Sequence, residues 1–202
     1  MLKKLGLIIF STLSLFAMHT AEININNKDL ELSGKLDMGQ INTSVEPDSV
    51  FVGLKLINGH KEHSSEENGA DNGSYIDLNF LMMNELPVKG LSVGLGMKIN
   101  YSDSFDMDFV SIPLGVELKY KLPLTNLIPL YLAGNVYYAP TVLSLSDAEN
   151  YFEYRINFDI EVIRNGSIVL GYRNLETNYE SDSKSGDYTY NKSAYAGFKF
   201  AF

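Results

Sequence analysis

The sequence predicts an all-β protein: a transmembrane antiparallel up-and-down β-barrel of eight strands, or of ten if the segment before residue 48 adds a hairpin. Three observations predict it. Apolar and polar residues alternate with a period of two in repeated blocks from Asp48 to Phe202. Short turns and long polar connections separate those blocks in alternation. The chain also opens with a segment of the export type. At 202 residues, 45% hydrophobic and 20% charged, it is long and apolar enough for one domain with a core. It has no Cys, which excludes disulfides, thiolate metal sites and cysteine nucleophiles. The net charge is -9, and -11 once Lys3 and Lys4 are removed with a leader, which speaks against nucleic acid as a partner.

The first 21 residues have the layout of a secretory signal peptide. Lys3 and Lys4 make a short basic region, Leu5 to Phe16 an apolar stretch, and small residues follow at Ala17 and at Thr20-Ala21. The cut is expected near Ala21, although the residue at -3 is then His19; a cut after Ala17 would put Leu15 there. The apolar stretch falls short of the roughly 20 residues that a helical span needs, and no later apolar run comes closer.

Residues 22–47 form a segment of their own, either an extra hairpin or a piece lining the barrel. Ile23-Asn24-Ile25-Asn26 and Leu30-Glu31-Leu32-Ser33 alternate, but the first piece is shorter than the roughly 9 to 11 residues of a spanning strand. Residues 48–202 are the barrel. In one phase per block, one face carries residues such as Val52, Leu54, Ile76, Leu78, Leu95, Ile99, Val116, Val136, Ile156, Leu170 and Phe198, and no Asp, Glu, Lys or Arg. The opposite face holds Lys55, Asp77, Lys98, Glu117, Lys119, Glu153, Arg155, Asp159, Glu161, Arg173 and Lys199, interleaved with Gly53, Gly94, Gly96, Gly115, Gly171 and Gly197.

A soluble barrel would turn the apolar face inward, whereas a membrane barrel turns it to lipid and keeps polar groups in its lumen. Export, the loop alternation, and tyrosines near strand ends (Tyr101, Tyr120, Tyr131, Tyr138, Tyr151, Tyr172) favour the membrane form. The compact turns are Asn84 to Gly90, Lys121 to Leu127 and an Asn165-Gly166 hairpin signal; the long connections are Asn58 to Gly73, Tyr101 to Asp108, Pro140 to Glu149 and Asn178 to Asp187. Counting upward from Asp48 gives eight strands. Pro113 lies inside a strand pattern, and because it offers no N–H a bulge or local break is expected there.

The chain ends in Tyr195-Ala-Gly-Phe198-Lys-Phe200-Ala-Phe202, which resembles the C-terminal signature of bacterial outer-membrane proteins. That resemblance implies residence in the outer membrane of a Gram-negative envelope, contact with outer-membrane lipid and lipopolysaccharide, and reading of Phe198, Phe200 and Phe202 by the barrel assembly machinery. Further up, Tyr137-Tyr138-Ala139-Pro140 with Leu143 and Ser144, Tyr151, Glu153-Tyr154 and Gly171-Tyr172-Arg173 resemble the YfaZ family of outer-membrane proteins, over roughly Leu130 to Phe202. The resemblance implies location and fold and carries no site residues.

Candidate chemistry is sparse. His60, Glu62, His63, Glu66, Glu67 and Asp71 share the longest loop, and Asp103, Asp106 and Asp108 form a second acidic cluster. Either could hold a divalent cation, but generic spacing in loops reads more simply as solvated surface. Catalysis lacks a base held opposite a nucleophile, since beyond the leader only His60 and His63 remain and no Gly-x-Ser-x-Gly elbow occurs. The inward charges, five acidic and six basic, nearly cancel, as a packed lumen requires. The expectation is therefore a structural or surface-interaction barrel with no catalytic site, metal or cofactor. A narrow pore is the alternative, and a lipid-modifying barrel enzyme is the reading with least support.

Overall fold

The computed structural model describes residues 19–59, 74–104, 107–123, 128–146, 148–181 and 184–202, of which 59, 103–104, 107–108, 146, 179–181 and 184–188 are described in backbone only. The strands are β1 (Thr20–Ile25), β2 (Asp29–Asp37), β3 (Val50–Gly59), β4 (Ser74–Glu85), β5 (Leu91–Ser104), β6 (Met107–Ser111), β7 (Leu114–Leu122), β8 (Leu130–Ala139), β9 (Ser144–Ser146), β10 (Ala148–Ile163), β11 (Gly166–Ser181) and β12 (Lys184–Ala201). Every pairing is antiparallel, and the ring closes through β1 on β12, from Thr20↔Ala201 to Ile25↔Ala196.

β6 and β7 are one stave. Both keep a single register against β5, from Asn100↔Ser111 to Met97↔Leu114, and Pro113 sits in the gap, where it accepts from the Lys98 N–H at 2.9 Å but has no N–H to return. The break expected at Pro113 is thus present. β9 continues β8 after the short 3₁₀ turn Thr141–Leu143, so the barrel has ten staves.

Eight staves is therefore the wrong count: the eight strands read from residue 48 onward are all present, and β1–β2 supply two more. The segment 22–47 joins the wall instead of lining it. β1 has only six residues because its hairpin turns early, where Asn26 Oδ1 accepts from the Lys28 and Asp29 N–H groups at 2.6 and 2.9 Å. Side chains then tie the short hairpin to β12, Asn26 Nδ2 donating to Ser193 Oγ at 2.9 Å and Asn191 Nδ2 to Asp29. The hairpin after β10 also differs from expectation. Its two loop residues are Arg164 and Asn165, Asn165 takes φ 64°, and Gly166 already pairs with Ile163.

The polarity of this barrel is inverted relative to a soluble one. Leu95 is 68% exposed, and Leu54, Leu78, Met82, Leu114, Val136 and Ile156 also point outward, while Arg173, Glu31 and Glu153 are 0% exposed. Among the described residues the buried apolar cluster lies at the end away from the termini, where Ile57, Tyr75, Phe109, Ala139, Ala148, Tyr151, Leu175 and Tyr190 pack together. Tyr151 belongs to this cluster, so it is not one of the outward tyrosines; among the others, Tyr101 and Tyr138 are exposed.

Candidate functional site: the lumen

Alternation sends every second side chain of each stave inward, and the inward set is arranged in layers. At the far end Tyr75 and Tyr151 join hydroxyls at 2.9 Å, and the Phe109 ring lies tilted against Tyr151 at 5.4 Å and the Tyr190 ring against Tyr75 at 5.5 Å. The Tyr151 hydroxyl also donates to Glu153 at 2.9 Å, linking the aromatic layer to the charges beneath.

The next layer crosses the barrel. Lys98 Nζ lies 2.7 Å from Glu153 and 3.1 Å from Asp77, and Lys55 Nζ lies 3.3 Å from Asp77 and 3.4 Å from Glu153. β3 and β10 are five staves apart in a ring of ten, so the Lys55–Glu153 pair joins opposite walls. A second crossing centres on Glu31 of β2. Arg155 grips it with Nη1 at 2.8 Å and Nη2 at 2.5 Å, and Arg173 pairs with both Glu31 and Asp29 and donates to Asn191. The Tyr195 ring lies 5.2 Å from each guanidinium, and its hydroxyl donates to Asn157.

Nearer the termini, Glu117 accepts from Lys35 at 3.0 Å and from the Tyr137 hydroxyl at 2.7 Å, and Lys98 Nζ sits 4.0 Å from the centre of the Tyr137 ring. Lys199 bridges Asp159 at 2.6 Å and Glu22 at 3.2 Å. Below these layers a chamber of about 190 Å³ reaches the termini-bearing end, lined among others by Lys35, Lys55, Asn79, Lys119 and Asp159.

The glycines on the inward face are not vacancies. A Cβ at Gly96 would fall on the Tyr137 hydroxyl and one at Gly115 on the Tyr137 ring; Gly171 is likewise filled by Tyr195, and Gly197 by Asn24. Large inward side chains close the space that the glycines open.

Of the charges expected in the lumen, Lys55, Asp77, Lys98, Glu117, Glu153, Arg155, Asp159, Arg173 and Lys199 enter these ion pairs. Two stand apart. Lys119 is exposed at the mouth with the Tyr131 ring 5.1 Å away, and Glu161 accepts from the Asn165 N–H at 3.3 Å in the hairpin turn. Glu22, Asp29, Glu31 and Lys35 were not foreseen, because no face was assigned to residues 22–47. Phe198 and Phe200 face outward, and Phe202 exchanges backbone hydrogen bonds with His19. His60, Glu62, His63, Glu66, Glu67, Asp71 and Asp106 lie outside the described residues, and Asp103 and Asp108 face each other across β5–β6 in backbone register. Among the described residues no group of three His, Cys, Asp or Glu is placed to hold a metal.

A closed antiparallel barrel, apolar outside and ion-paired inside, has the architecture of the outer-membrane-type barrels. The chain belongs to the YfaZ precursor family, whose model matches residues 10–202. No curated protein matches it significantly. Among solved structures it is similar to LpxR from Salmonella typhimurium, at 11% identity and a TM-score of 0.42, over 86% of this chain and 73% of that one.

Proposed function

We propose that the protein is exported by an N-terminal leader and inserted in the outer membrane as an integral barrel, with a structural or surface-interaction role and no catalytic or solute-conducting one. The observation that carries this reading is the filled lumen. Seven carboxylates (Glu22, Asp29, Glu31, Asp77, Glu117, Glu153, Asp159) pair with six cations (Lys35, Lys55, Lys98, Arg155, Arg173, Lys199), with Lys119 beside them and the buried Asp37 held by the Gly39 and Asp48 N–H groups, so the charges nearly cancel and most of them are paired. Buried charge is tolerated on those terms in a packed interior, and a water-filled channel would not need the balance.

The barrel's partners on this reading are lipid and lipopolysaccharide at its outer wall and the assembly machinery at Phe198, Phe200 and Phe202. The polar loops opposite the termini would meet whatever the cell surface presents. The test is fractionation of an expressing Gram-negative host, with a membrane-impermeant label on a Cys placed at position 66. The expected result is a heat-modifiable band in the outer-membrane fraction, labelled on intact cells. Recovery of folded protein in the soluble periplasm would overturn the reading in favour of a secreted protein.

One observation favours a second reading, a narrow pore for ions or small solutes: the chamber open toward the termini, with Lys35, Lys119 and Lys199 around it. For that to conduct, the Tyr75–Tyr151 layer and both charge crossings would have to part. A barrel enzyme acting on lipid has no such observation behind it among the described residues.

A further inference from the structure

Before export the chain offers two small residues as cutting points, Ala17 and Ala21, and the barrel distinguishes them. Thr20 and Ala21 are wall residues: Thr20 registers with Ala201 on one side and Lys35 on the other, and Ala21 with Phe200 and Gly34. His19 extends the seam by one residue. Its N–H donates to the Phe202 carbonyl at 3.1 Å and its carbonyl accepts from the Phe202 N–H at 2.9 Å. The residue is 8% exposed, and its ring lies edge-on to Phe202 with centroids 6.1 Å apart and accepts from the Asp37 N–H through Nδ1 at 3.0 Å.

A cut after Ala21 would remove all of this. β1 would shrink from six residues to four, and the β1-facing edges of Phe200, Ala201 and Phe202 and the edge of Gly34 and Lys35 would lose their partners. Backbone groups in a membrane wall have no water to turn to, so a gap at the closing seam is costly. The new α-ammonium would also sit on Glu22, in register with Lys199, adding a cation beside one already there. The chemistry of leader cleavage points the same way. Such peptidases take small residues at -1 and small or aliphatic ones at -3, and Leu15 with Ala17 fits that pattern better than His19 with Ala21.

We propose that the mature protein begins at Met18. Resting on the export reading above, water attacks the Ala17 carbonyl in a host signal peptidase, the Ala17–Met18 peptide bond breaks, and the leader leaves with an Ala17 carboxylate while Met18 takes the new amine. His19 then remains as the first pairing residue of the barrel, and the seam closes between the two ends of the mature chain.

Intact mass and N-terminal sequencing of protein extracted from outer membranes test this. The expected N-terminus is Met18, and a chain beginning at Glu22 would overturn the proposal. A chain that keeps Met1 would instead overturn the export reading itself. Two substitutions separate the sites independently of folding, read as processing in a pulse-chase. Ala17→Gln should leave the precursor uncut, whereas Ala21→Gln should be processed at the ordinary rate and yield the same Met18 terminus. The reverse result would assign the cut to Ala21.

Discussion

Arg173 has no exposed surface and three partners, Asp29, Glu31 and Asn191. Removing it leaves Asp29 with the Asn26 and Asn191 amides but no paired cation, and Glu31 with Arg155 alone, so Arg173→Ala should cost about 3 to 5 kcal/mol, the usual penalty for breaking a fully buried pair from one side. Glu161, although it shares the inward phase, meets the Asn165 N–H in a turn and the Tyr131 side chain near the mouth and enters none of the buried ion pairs described, and Glu161→Ala should change melting little. Comparing the temperatures at which the folded band is lost on gels would check both. A different residue-scale effect is expected at Asp48, which adopts φ 61° in the connection before β3, with its N–H bound to Asp37 Oδ2 at 3.0 Å. Partial burial, and then the Asp37 charge, raise the Asp48 carboxyl above its ordinary pKa. The folded state therefore binds this proton more tightly than the unfolded state, and the residue's contribution to stability declines as pH rises through the folded-state value. Asp48→Gly relieves the left-handed backbone, which should stabilise by about 0.5 to 1 kcal/mol, and removes the charge as well, so that the gain is larger at pH 7 than at pH 4. An unchanged melting temperature at pH 7 would show that neither effect matters there.

The outward face of each stave is the part that a bilayer would read. An arginine at mid-bilayer costs on the order of 2 to 4 kcal/mol in such barrels, so Leu95→Arg, on β5 and 68% exposed, should block accumulation of the folded form, while Leu95→Met should not. At the other end of the chain, deletion of Phe202 removes the partner of His19 and the terminal aromatic together, and a lower folded fraction in outer membranes is expected. These staves were legible because long alternation is hard to mistake: β10 keeps one phase for ten residues, from Tyr151 to Ile160. β2 carries as clear a signal, with Leu30, Leu32 and Leu36 outward and Glu31 and Asp37 inward, but it follows a strand of six residues that looked too short to span. Length misled there because a stave at a seam can borrow height from its neighbours, as β1 does from β12. That one misjudged element hid Glu31, the residue on which Arg155 and Arg173 converge. The bonds among lumen charges were not legible at all, since phase says which side chains point inward but not which meet across a ring of ten.

At the scale of the whole molecule, the strand count and the lumen bear on conduction together. Barrels of about eight strands have interiors that side chains can fill, whereas aqueous channels come with about 16, and ten staves stand near the lower end. The two extra staves widen the ring, and the inward residues take up that width: Tyr137 over Gly96 and Gly115, Tyr195 between two guanidiniums, and Lys55 paired to the opposite wall. Among the described residues the chamber near the termini stays open and reaches up to Lys98, above which the Tyr75–Tyr151 contact crosses the far end. An ion entering from the termini-bearing side would have to displace a buried pair and then pass between two hydroxyls 2.9 Å apart. The full-length protein in a planar bilayer should therefore show no steady current. Weakening the far layer alone, as in Tyr75→Ala with Tyr151→Ala, should leave it closed, because both charge crossings remain. Adding Lys98→Ala and Glu153→Ala to that pair removes the crossing below without stranding either charge on the other, and brief, polymer-blockable openings are expected only then, at moments when the Arg155–Glu31 crossing parts as well. A stable single-channel current in the unaltered protein, with a selectivity that changes on Lys119→Glu, would make the narrow pore the better account of the fold.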